Sequence, residues 1–198
     1  LCWAGWIFQN SPESTEERLS DLYRSIAAHA ARIPPTLDYA RAQGNNHLLS
    51  EAAGIYTAAA FLPDHPTSSF WRMLGWKTFH QGLADQIAPD GTYAQHSANY
   101  HRLMLDLSLW MLTVSRQIGD SFPPASLEHL AAATSWLYDL ADTQSGRVPN
   151  LGSNDGAQLL PLSACSFQDF RPTLQAGSRA FLGRPAFPPG PWDELSIW

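Results

Sequence analysis

The segment SANYHRLMLDLSLWMLTVSRQI, residues 97–118, decides the fold class. Tyr100, Leu103, Met104, Leu107, Met111 and Val114 recur at helical spacing along one face. Leu105, Leu109 and Leu112 cover much of the remainder. A helix that is apolar on most sides is buried on most sides. Gly119 and Pro123-Pro124 end it.

The sequence on either side reads as helices that wrap this one. Upstream, a helix over about Ser68 to Ala88 carries Trp71, Leu74, Thr78, Gly82, Leu83 and Ile87 on one side. The turn Pro89-Asp90-Gly91-Thr92 follows it. An earlier helix runs from near Asn46 to Pro63. Its Ala residues and Gly54 give a slim surface for close helix approach. The first clear helix opens at Ser14-Thr15-Glu16-Glu17, with acids well placed for its dipole. It carries Leu19, Leu22, Tyr23, Ile26, Ala30 and Ile33, and Pro34-Pro35 stops it.

Downstream, about Ala125 to Asp142 is conventionally amphipathic. A Gly/Asn/Pro segment, Gln144 to Pro161, comes next. A last helix covers Pro172 to Leu182, and the Pro-rich tail, Gly183 to Trp198, reads as extended. No strand alternation and no repeat of fixed period is present. Mostly buried helices alternate with amphipathic ones, as an inner and an outer ring of helices require. The expected fold is all-α: an incomplete α/α toroid of antiparallel helical hairpins. A plain bundle or an α-solenoid reads similarly.

Composition bounds the partners. Of 198 residues, twelve are Lys or Arg and eighteen are Asp or Glu, giving a net charge of −6. That balance argues against nucleic-acid binding. Lys77 is the single lysine; arginine supplies the other basic groups and suits two-pronged contact with carboxylates or sulfates. Cys2 and Cys165 form no metal pattern and demand no disulfide. No apolar run is long enough to span a membrane. The first residues lack an initiator Met and a signal-peptide pattern, so the chain reads as part of a longer product.

Three polar clusters fall at helix starts and loops. The first is Gly44-Asn45-Asn46-His47, with His47 and Glu51 on one helix face. The second, Pro89 to Arg102, packs Tyr93, Gln95, His96, Asn99, Tyr100, His101 and Arg102 into a loop and a first turn. The third is Arg147 to Gly156, with Asn150, Asn154 and Asp155. Each has a structural reading: a capped histidine, a core tyrosine with a bonded hydroxyl, a series of turns. The second is too dense in titratable and amide groups for that reading alone. A metal held by His47, Glu51 and His96 or His101 lacks diagnostic spacing. Paired carboxylates for glycoside hydrolysis would have to come from Glu51, Asp90 and Asp155.

NNHLLSEAAG (45–54), PDGTYAQHSANYHR (89–102) and NLGSNDG (150–156) resemble the heparinase II/III-like family, over about Leu1 to Phe187. That family includes bacterial polysaccharide lyases acting on heparan-type glycans and on alginate. The resemblance implies a partial toroid over 1–182. It also implies a tail, 183–198, leading towards a carboxyl-terminal β-sandwich that this chain lacks. It calls for an acidic polysaccharide or oligosaccharide as partner, for no cofactor and no metal, and for a periplasmic or secreted location.

The resemblance also assigns roles. Asn46 and His47 match residues that neutralise the uronate carboxylate. Tyr100 matches the tyrosine that acts as base, acid or both. An unperturbed phenol titrates near ~10, so a phenolate needs nearby cations, expected from His96, His101 or Arg102. His96, His101, Arg102, Glu51, Asn150, Asn154 and Asp155 are expected at the substrate. A further histidine is expected from the β domain. Two other readings stand beside this one: a glycoside hydrolase on the same architecture, or a glycan-binding module using Trp71, Trp76, Tyr93 and Trp110.

Overall fold

In the computed structural model, residues 1–159 and 161–197 are described. Leu160, in the expected Gly/Asn/Pro segment, and Trp198, in the expected tail, lie outside the described residues. The described chain forms α1 (Cys2–Phe8), α2 (Glu16–Ala30), α3 (Leu37–Gln43), α4 (Asn46–Phe61), α5 (Ser68–Gln86), α6 (Ala98–Ile118), α7 (Pro124–Leu140) and α8 (Arg171–Phe181). Short 3₁₀ turns cover Pro34–Thr36 and Pro191–Ile197. The all-α expectation holds. One isolated antiparallel bridge, Ile87 with Tyr93, closes the 88–92 turn.

Caps set the helix starts. Oxygens of Thr15, Asn45 and Ser97 accept from the amides of Arg18, His47 and Tyr100. Each satisfies a donor that the first helical turn leaves free. Gly44 and Gly119 end α3 and α6 in the left-handed conformation, at φ +59° and +81°.

Glycines let α4 and α5 touch backbone to backbone. A Cβ on Gly75 would sit 2.8 Å from the Ala52 carbonyl and 2.9 Å from Tyr56 Cβ; one on Gly82 would sit 2.8 Å from a Leu49 methyl. As the α5 number rises the α4 number falls, so the two helices are antiparallel. Between α4 and α6 the numbers rise together: the Asn46 amide meets Gln95 Oε1, just before α6, and Thr57 meets Trp110. These helices are parallel, and their N-termini lie at one end of the molecule. Thr173 donates to Asp106 (2.7 Å) and ties α8 to α6.

The main core joins α4, α5, α6, α7 and α8 through Leu49, Tyr56, Phe79, Leu83, Met104, Leu105, Met111, Leu130, Leu137 and Leu174. A second core, around Ile26, Ile55, Phe61 and Trp71, seats α1 and α2 on α4 and α5. Arg72 clamps Asp120 with two hydrogen bonds (2.9 and 2.6 Å), and Tyr56 donates to the same carboxylate (2.7 Å).

Two expectations change. α1 and α3 were not foreseen; each spans seven residues, too short for periodicity to show. The tail is not extended. Gln175, fully buried, accepts from the amides of Ala186 and Phe187 and donates to Asp193, and this folds the tail back onto α8. Cys2 and Cys165 are free thiols.

Two predictions follow from this packing. Gly75→Ala should cost about 1–3 kcal/mol of stability, as overpacking does. Gly54→Ala should gain roughly 0.5–1 kcal/mol, because its Cβ meets only an Ile33 methyl at 3.6 Å. Thermal unfolding showing the same sign for both would contradict the close approach. Second, burial pushes the Asp106 carboxyl up to about 7, against the Thr173 hydroxyl and Arg102. The unfolded chain releases that proton near ~3.9, so this group's contribution is full below that pH and is lost as pH rises to about 7. Asp106→Asn should therefore raise Tm over wild type most at pH 8, with the gain shrinking below pH 5. A gain independent of pH would contradict the assignment.

Candidate functional site

The three polar clusters converge on the first turn of α6. Gln95 Oε1 accepts from the Asn46 amide at 3.2 Å, bringing the start of α4 to the loop before α6. Ser97 Oγ donates to the Ser153 carbonyl (2.6 Å), and the Ala98 amide donates to the Leu151 carbonyl (3.0 Å). A side chain on Gly152, at φ +69°, would strike the His96 carbonyl at 2.2 Å. The 150–156 loop is therefore seated directly on the corner before α6. His96 sits at that corner with φ +49°, exposed, in a region that non-glycine residues seldom adopt.

Tyr100 is half-buried, and its hydroxyl donates to Asp155 Oδ2 at 2.6 Å. That hydrogen bond holds the phenol above its ordinary range, with burial and the Asp155 charge adding to it. The same bond holds the Asp155 carboxyl below its usual range. The charged group on the phenol is thus an anion, where sequence reasoning expected cations.

The expected cations lie elsewhere. His101 is 1 % exposed, stacked on Trp136 at 4.9 Å. Its Nε2 lies 2.8 Å from the Ala133 carbonyl; a carbonyl only accepts, so Nε2 carries the proton. Burial lowers this imidazole to about 4, so it is neutral near pH 7. Arg102 is also 1 % exposed. Its guanidinium donates to the Phe167 carbonyl (2.5 Å) and to Asn99 Oδ1 (2.7 Å), over the rings of Phe167 and Phe170. The expectation that His101 and Arg102 touch substrate is corrected: both are sealed in the core. Adjacent helical residues diverge by about 100°, so Tyr100, His101 and Arg102 cannot share one face.

The side-chain carboxamide of half-buried Asn46 and the ring of exposed His47 have no hydrogen-bond partner among the described residues, while the backbone N–H of Asn46 is the one that donates to Gln95. Glu51 turns away and accepts from Thr36 (2.9 Å), so it does not join His47. Asn150 and Asn154 are exposed, and Asn154 donates to Asn150 (3.0 Å). No group of three or more His, Cys, Asp or Glu that could hold a metal is present among the described residues.

Sequence reasoning missed Gln95 as the residue that fixes Asn46. It also gave no role to Asn99 and Arg147, which border a cleft of about 380 Å³ beside the 150–156 loop, floored by Phe167 and Phe170. All three stand inside the quoted clusters. A larger concavity, about 740 Å³, lies towards the other end of α6 and involves Trp3, Trp6 and Trp110. None of the three clusters reaches it. Trp71 and Tyr93, offered for sugar stacking, are buried, and Trp76 is wedged between Tyr56, His80 and Phe122.

Comparison with known proteins gives the same direction. The sequence profile described as Heparinase II/III N-terminus matches residues 4–158. A heparin-sulfate lyase of Bacteroides thetaiotaomicron is 30 % identical over 94 residues, 48 % of this chain and 13 % of that protein. A heparin-sulfate lyase of Bacteroides stercoris is 29 % identical over 124 residues, 62 % of this chain and 18 % of that protein. The chain thus spans less than a fifth of the length of these relatives. No solved structure matches it.

The Tyr100–Asp155 bond is open to direct measurement. Asp155→Asn removes the negative partner, so the Tyr100 titration should move down towards ~10. Phenolate absorbance, differenced against Tyr100→Phe, reads that midpoint. A midpoint that stays put would show that Asp155 does not hold the phenol.

Proposed function

This chain belongs to the Heparinase II/III N-terminus family, and from that premise we propose that it forms the helical part of a polysaccharide lyase acting on a uronate-containing glycan. The helices are read as part of an α/α toroid over 1–182, with 183–198 leading towards a further β-sandwich domain. The location proposed is periplasmic or secreted. No helix among the described residues is long and apolar enough to cross a membrane.

The reaction proposed is β-elimination. A base takes the proton at C5 of the uronate, the C5–H electron pair becomes the C4–C5 double bond, the C4–O4 bond breaks, and O4 takes a proton. Negative charge builds on the carboxylate side of C5, so donors that meet the carboxylate there lower the barrier. The unpaired side-chain amide of Asn46 and the ring of His47 suit that task. The positive ends of α4 and α6 lie at the same end and add to the field.

The single observation that carries the reading is the Tyr100–Asp155 bond beside Asn46's segment. A phenol bonded to a carboxylate stays protonated, so Tyr100 is best suited to give its proton to O4. With His47 at the carboxylate, proton abstraction falls to the histidine that the family resemblance places in the β domain. Asn150, Asn154 and Asp155 border the substrate. Exposed His96 contributes from the rim, and Glu51 has no role at the reacting sugar.

A non-catalytic glycan-binding module is the second reading. The observation favouring it is the cleft with Trp3, Trp6 and Trp110, since aromatic faces stack on sugars.

In the full-length parent enzyme, wild type should release product with the ultraviolet absorbance of a new double bond. Tyr100→Phe should slow that release by about 10²- to 10⁴-fold. Equal rates would remove Tyr100 from the chemistry. Binding without any turnover in wild type would favour the second reading.

A further inference from the structure

Two residues that line the cleft between the start of α6, the approach to α8 and the 144–156 loop carry donors without partners among the described residues. Asn99 is 2 % exposed. Its Oδ1 accepts from Arg102, but its Nδ2 has no hydrogen-bond partner among the described residues. A buried amide donor without an acceptor is costly, and Asn99 borders this cleft. Arg147 lines the same cleft and is exposed, with its guanidinium in no ion pair among the described residues.

The nearby acids are already engaged. Asp169 is held by Arg171 through two nitrogens, at 2.9 and 2.7 Å, and Asp155 accepts from Tyr100. Arg147, Asn99, Asn150 and Asn154 thus line one space, and no carboxylate is among its lining residues. A guanidinium in no ion pair among the described residues, beside a buried amide N–H without an acceptor and with no carboxylate in the lining, favours an anion.

We infer that this cleft is an anion-binding subsite that holds a carboxylate or sulfate of the sugar next to the one at Tyr100. The inference rests on the lyase reading for its ligand class. Asn154 borders the cleft while its neighbour Asp155 holds Tyr100, so the subsite stands one loop residue from the phenol's partner. It is separate from the Asn46 and His47 side, which takes the carboxylate of the reacting sugar. A polymer with an acid group on successive sugars then meets donors on both flanks of Tyr100. Arg147 and Asn99 set register and preference and take no part in the proton transfers.

The test uses the full-length parent enzyme with a defined acidic oligosaccharide, read by equilibrium binding and by turnover. Arg147→Ala should weaken binding and raise KM by about tenfold with kcat within about twofold. Arg147→Lys keeps the charge and loses the two-pronged contact, so it should fall between. Asn99→Asp keeps an acceptor for Arg102 but turns the donor into an anion, and should weaken binding further. If that variant fails to fold, exposed Arg147 alone decides. Two modified oligosaccharides identify the group, one desulfated and one with its uronates reduced to neutral sugars. The Arg147→Ala loss should vanish with whichever group the subsite holds. A loss unchanged with both, or no loss while wild type turns over, overturns the subsite. No turnover by wild type, with the Arg147→Ala binding loss intact, overturns the lyase reading and leaves the subsite standing.

Discussion

A buried arginine organises this molecule's working end. Arg102 is enclosed in the first turns of α6, and a guanidinium is never discharged to ease that burial. It must find partners, and it finds the Phe167 carbonyl, Asn99 Oδ1, the faces of Phe167 and Phe170, and the nearby charge of Asp106. Those contacts hold the 167–170 segment over α6. They also bring α8 close enough for Thr173 to reach Asp106. The preceding loop is left with only the top of α6 to cover, and Ser97, Ala98 and Gly152 fasten it there.

This arrangement buries polar residues of α6 beside its apolar ones. Asn99, Arg102, Asp106 and Ser108 are buried along with Met104, Leu105 and Met111, while Tyr100, Leu103 and Trp110 are only half-buried. The apolar stripe that marks the helix as central does not mark which side is open. The chain places a phenol at the opening and seals its two neighbours, His101 and Arg102, behind it. His101 is neutral under burial and serves α7 through the Ala133 carbonyl.

Most of the fold was legible because periodicity, caps and Pro/Gly stops agree over the long helices. Asn46 to Phe61 and Ala98 to Ile118 begin within a residue of where the pattern puts them. α1 and α3 were not legible, since two turns carry too few residues for a period. The folded tail was hidden because Gln175, a single buried amide, directs it from another element. At the site, the three clusters were legible as chemistry-rich segments, but not their contacts. Nothing in PDGTYAQHSANYHR says that Gln95 reaches Asn46 or that Asp155 meets Tyr100. Those pairs join residues 49 and 55 positions apart, and only packing brings them together.

The central claim is that α4 and α6 bring Asn46 and Tyr100 to one sugar acid. A structure of the full-length Tyr100→Phe protein with a bound uronate oligosaccharide tests it most directly. The account predicts a uronate carboxylate within hydrogen-bonding distance of the Asn46 side-chain amide, with C5 and O4 of that sugar at the ring of residue 100. An oligosaccharide lying instead along Trp3, Trp6 and Trp110, with the start of α4 empty, would contradict it.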